Sequence, residues 1–139
     1  MGLNLDKQIT QNFKLGEFII SKFYDERQQK KVIQSVDTSA LENIHKLANN
    51  LQFLRNKLNA PIIINIAYRP LWYELEMGRS GTSQHVFGKA ADIKVVRYTT
   101  RQVYDTIEKL IDNGDMLQGG LGYYPSFIHY DLRRTKARW

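Results

Sequence analysis

The chain has 139 residues, 42% hydrophobic and 24% charged, with a net charge of +6, a size and balance that fit one compact domain (1–139) able to bury a core without staples. It contains no cysteine, which excludes thiol catalysis, cysteine-held zinc and disulfides and leaves His and carboxylate to hold any metal. No apolar run approaches the roughly 20 residues of a membrane span, and the opening MGLNLDKQIT lacks the apolar stretch of a signal peptide. Gly2 follows Met1, but Asp6 stands where a myristoylation signal wants Ser or Thr. A soluble chain without a recognisable export signal or membrane partner is expected.

Asn12–Ser21 carries apolar residues at both the helical and the strand period and stays ambiguous. Lys22–Ser35 is polar and charge-rich and reads as surface. From Asp37 to Leu58, Leu41, Ile44, Leu47, Ala48, Leu51, Leu54 and Leu58 recur at three- and four-residue steps, which predicts a helix with one apolar face. Ser39 and Glu42 have the spacing of a capping box at its start. His45 lies in this helix without the Glu and second His of a metalloprotease helix and reads as a surface or packed histidine.

Pro61–Ala67 (PIIINIA) is short and β-branched and predicts a mostly buried strand. Tyr68–Gln84 reads as a long polar loop broken by Pro70, Gly78 and Gly81, of a length that is usually functional. Ala90–Val96 predicts a second strand, and Thr100–Asn113 a second helix with Val103, Ile107, Leu110 and Ile111 on one face and Gly114 as its stop. Gly119–Tyr124 and Phe127–Leu132 predict two more strands joined through Pro125 and Ser126. This order points to an α+β fold with helices packed on a small, largely antiparallel sheet.

Two of the three histidines stand in chemical company. His85 ends the long loop, Gly88 permits a tight turn, and Asp92 begins the next strand, so an imidazole and a carboxylate seven residues apart can meet. In Phe127–Asp131, strand alternation puts His129 and Asp131 on one face and Ile128 and Tyr130 on the other. Two histidines and a carboxylate suit one catalytic zinc with an open position. A satisfied core histidine and a capping aspartate would produce the same letters, and spacing alone leaves both readings open. Arg133, Arg134, Lys136 and Arg138 crowd the chain's end, either as a solvated tail or as a surface for a polyanion such as nucleic acid or an acidic wall. No nucleic-acid motif or regular aromatic–basic interleaving accompanies them, so nucleic acid ranks low as a partner.

The pattern SxHxxGxAxD, complete in Ser83–Asp92, followed far downstream by an HxD strand, resembles the zinc D-Ala-D-Ala carboxypeptidase family. That family includes D-Ala-D-Ala dipeptidases and phage L-alanyl-D-glutamate endopeptidases and shares its fold with the hedgehog signalling domain. Asn12–Leu15, Ala67–Pro70, Gly119–Tyr124 and the closing Ala137-Arg138-Trp139, which fits the small phage-type branch, extend the similarity over nearly the whole chain. The resemblance implies zinc held by His85, Asp92 and His129, with Arg69 on the substrate carbonyl or oxyanion and Ser83 on the substrate backbone. It implies a peptidoglycan peptidase acting on the stem peptide, as a phage lysin that reaches the wall by release or as a virion-associated enzyme. Ser126 stands where several members carry a Glu or Asp three residues before the last ligand. Asp131 is therefore the candidate to act as base, or to orient the water or His129; as a structural carboxylate it would pair with Arg133 or Arg69. The alternative from another class is a zinc-binding, catalytically weak or inactive structural domain among phage structural proteins.

Overall fold

The computed structural model describes residues 2–139. The ambiguous stretch near the start forms neither a regular helix nor a strand. It closes through a bridge between Gln8 and Lys14 into a 3-10 turn, Leu15–Phe18, that buries Leu15 and Phe18. Gly16 makes this possible, because a side chain there would meet the Leu5 carbonyl oxygen at 2.9 Å. The polar stretch after it is surface, as expected, but helical: α1 (Glu26–Ser35) is capped by a reciprocal Asp25–Gln28 box and buries only Val32.

The long helix α2 (Thr38–Leu58) turns Ala40, Ile44, Leu47, Ala48, Leu51, Leu54 and Leu58 inward. Its cap is Asp37 rather than the expected Ser39–Glu42 box. Asp37 has the extended backbone a cap needs and accepts from Ala40 N at 2.8 Å, while Ser39 already lies inside the first turn. Asn59, at φ 48°, ends the helix in the left-handed region. His45 is half-buried on this helix.

Five strands follow: β1 (Ile62–Ile66), β2 (Ala90–Val95), β3 (Gly120–Tyr123), β4 (Ile128–Asp131) and β5 (Ala137–Arg138). They form one sheet in the order β1-β2-β4-β3-β5, antiparallel except for the β3–β5 pair. The α+β architecture read from the sequence is thus observed. Between β1 and β2 lies a six-residue helix, α3 (Leu71–Glu76), inside what the sequence presented as loop. Helix α4 (Thr100–Asp112), capped by a Thr99–Gln102 box, buries Val103, Ile107, Leu110 and Ile111.

Alternation divides the sheet. Ala91, Ile93 and Val95 of β2 with Ile128 and Tyr130 of β4 join the core that includes α2 and α4. Asp92 and Lys94, with His129 and Asp131, belong to the opposite face. No helix of the described residues is long and apolar enough to cross a membrane.

Candidate metal centre

Strand register makes the first contact of the site. Asp92 of β2 lies directly opposite His129 of β4, where antiparallel side chains are about 5 Å apart. Asp92 Oδ1 is 3.0 Å from His129 Nδ1. The third group arrives from a 3-10 turn, Gln84–Phe87, capped by Ser83 Oγ, which accepts from His85 N at 3.2 Å. Gly88 closes that turn at φ 74°, pressed so near α2 that a side chain would meet the Ala40 carbonyl oxygen at 2.8 Å. His85 is thereby driven under the sheet edge, 2% exposed, with Nε2 3.3 Å from Asp92 Oδ1.

Each imidazole has its far nitrogen occupied. His85 Nδ1 is 2.7 Å from the Ala67 carbonyl oxygen, so it donates there and leaves Nε2 as the nitrogen that faces Asp92. His129 Nε2 is 2.7 Å from Asp131 Oδ2, which leaves Nδ1 facing Asp92. The donor atoms of His85, Asp92 and His129 all lie within 4.8 Å of one another. Two imidazoles held by hydrogen bonds at their outer nitrogens, converging with one carboxylate, fit a divalent ion of the zinc type.

The electrostatics follow from this packing. Burial alone would raise the Asp92 carboxyl, but hydrogen bonds from His129 and His85 and their charges hold it well below the usual carboxylate range. Burial opposes the charged form of His129, yet hydrogen bonds to Asp131 and Asp92 outweigh it and raise the imidazole above its ordinary value. Asp131 is fully buried. Despite that desolvation, the His129 and Arg133 side chains and the amides of Arg133 and Gly120 hold it far below the carboxylate range. Gly120 is bare at this point because a side chain would run into the Asp131 carboxylate.

Arg69 is brought beside the centre by its own amide, which donates to the His85 carbonyl at 3.0 Å. Its Nη2 is 3.5 Å from Ser83 Oγ. Its Nε lies 3.1 Å from Glu74 Oε2 without the alignment of a hydrogen bond, an electrostatic contact. The same Glu74 oxygen accepts from Arg79 Nη1 at 2.8 Å. Glu74, 1% exposed on α3, escaped the sequence reading because nothing periodic marks a buried carboxylate within an apparent loop.

Two hollows of about 470 and 380 Å³ share Arg69, Asp92 and Phe127 and together make a groove across the donor atoms. Ser126 lines it on one side; His85, His129 and Trp139 line it on the other. The Trp139 indole lies 5.1 Å from the His129 ring and occupies the space above Gly122. Among the described residues, Asp92 is the only one with a side-chain carboxylate lining either hollow. Of the basic residues near the chain's end, Arg133 pairs with Asp131 and Arg138 with Glu108, so half of that cluster is tied into the fold.

A family model described as Peptidase M15 matches residues 17–131. The matched span includes the SxHxxGxAxD segment and the HxD strand and supports the resemblance to the zinc D-Ala-D-Ala carboxypeptidases. No curated protein matches the chain.

Proposed function

Because the chain belongs to the peptidase M15 family and is thereby a hydrolase of peptide bonds, we propose that it is a zinc metallopeptidase that cuts peptidoglycan stem peptides. The observation that carries this reading is the convergence of His85 Nε2, Asp92 Oδ1 and His129 Nδ1 at the floor of the groove. Zinc bound there supplies Lewis acidity, which polarises a peptide carbonyl and makes water nucleophilic near neutral pH.

The remaining steps belong to the chain's own residues. Arg69 places a fixed cation where negative charge develops on the carbonyl oxygen, and Glu74 behind it holds the guanidinium in place. Ser83 Oγ meets the substrate backbone. Of the roles open to Asp131, its geometry favours orienting His129: both carboxylate oxygens are engaged, and it lines neither hollow. It accepts from His129 Nε2 and so keeps Nδ1 available as a donor atom.

A second reading, a metal-loaded binding domain of a phage particle with little or no turnover, is favoured by the groove's chemistry. Ser126 occupies the place of the usual acid, and among the described residues no side-chain carboxylate other than that of Asp92 lines the groove. Mass spectrometry of muropeptides after digestion, with zinc stoichiometry measured on the same preparation, separates the two. One zinc per chain and new stem-peptide products, both lost in His85→Ala, are expected. Zinc with intact muropeptides would establish the binding domain.

A further inference from the structure

The larger hollow is asymmetric in charge. Lys22, Arg69, Arg79 and Lys94 line it against a single carboxylate, Asp92, which belongs to the metal centre. Arg69 and Arg79 share Glu74. Lys22 and Lys94 are exposed and form no ion pair among the described residues. They come from different parts of the chain, Lys22 from the segment before α1 and Lys94 from β2. Beside them Phe23, Tyr73, Met77 and Phe127 supply apolar wall. Two ammonium groups without an ion-pair partner, beside an apolar wall, are complementary to an aliphatic group that ends in an anion.

The position of Lys94 sets the distance. It follows Asp92 by two residues on the same face of β2, which is about 7 Å along a strand. An extended peptide advances about 3.3–3.6 Å per residue. An anion held by Lys94 therefore sits within about two residues of the bond lying over the donor atoms.

Resting on the reading of the groove as a peptide-cleaving cleft, we propose that Lys22 and Lys94 form a subsite for a free carboxylate carried by the substrate within two residues of the scissile bond. The subsite gives the enzyme selectivity for acidic over amidated peptides. Lys22 and Lys94 act here as specificity residues, and the groove favours one direction of the substrate because, among the described residues lining the two hollows, only those on this side of the metal centre include unpaired cations.

The test uses binding, so that it does not depend on turnover. Acetylated alanine tetrapeptides, in L and D forms, carry Glu or Gln at each position in turn, and their Kd values are measured with the full chain and with the Lys22→Ala/Lys94→Ala protein. At one position Glu is expected to bind about three- to tenfold more tightly than Gln, as one or two exposed ammonium–carboxylate pairs do. That ratio should fall towards one in the double variant and with rising salt. Equal Kd for every Glu/Gln pair in the unaltered chain overturns the subsite, and so does a Glu preference that survives both substitutions. Turnover read on the same peptides judges the peptidase reading separately: binding preference without cleavage sinks that reading and leaves the subsite standing.

Discussion

Asp131 accepts from one imidazole, one guanidinium and two amides while fully buried. Asn at this position offers an amide group where the carboxylate received donors, so at least one buried N–H loses its partner, at about 1–3 kcal/mol. Asp131→Asn is therefore expected to weaken zinc binding about 10- to 100-fold through the freed His129 ring, with turnover per bound zinc retained when zinc is saturating. Competition with a zinc indicator gives the first quantity and activity at excess zinc the second. Undiminished zinc affinity with turnover abolished would instead make Asp131 the base. At this scale much was legible: motif and alternation marked His85, Asp92, His129 and Asp131 as candidates. Glu74 was not, because its partners Arg69 and Arg79 stand five residues to either side and meet it only once α3 has formed.

The element that aims His85 is the 3-10 turn ended by Gly88. Its left-handed φ and its approach to the Ala40 carbonyl both exclude a side chain. Gly88→Ala is expected to cost about 1–3 kcal/mol and to lower zinc affinity by displacing the turn from α2. Chemical denaturation and a zinc titration check the two effects, and wild-type values in both would show that the turn does not aim the ligand. The long helices were readable because a three- to four-residue apolar period needs no knowledge of distant chain. Short elements were not. In α3, Leu71 and Leu75 face solvent, so no apolar stripe announces it. The two-residue β5 exists only because Gly120 and Leu121 pair with it. The helix start slipped for a related reason: Asp37 and Ser39 are both good caps, and backbone conformation chooses between them.

Across the whole molecule, the sheet separates duties by face, with the apolar core on one side and the groove with its donor atoms on the other. An ion that binds only the folded chain adds stability by mass action, about 2.7 kcal/mol at 100 times its Kd. For a chain of this length that is a Tm rise of roughly 9 °C. Melting curves in zinc and in chelator should differ by about this amount in the unaltered chain and coincide in His85→Ala. Coincident curves for the unaltered chain would mean that the native state holds no ion.

The pairing of Asp92 with His129 across β2 and β4 has a further consequence for how the chain reaches its fold. Side chains alternate strictly, so a slip of β4 by one residue would present Ile128 and Tyr130 to the groove and turn His129 into the core. Such a sheet could satisfy many backbone hydrogen bonds and still be wrong. It could not assemble the three donors. An ion bound there would act as a proofreader of strand register, holding on only to chains whose sheet has closed in the correct phase.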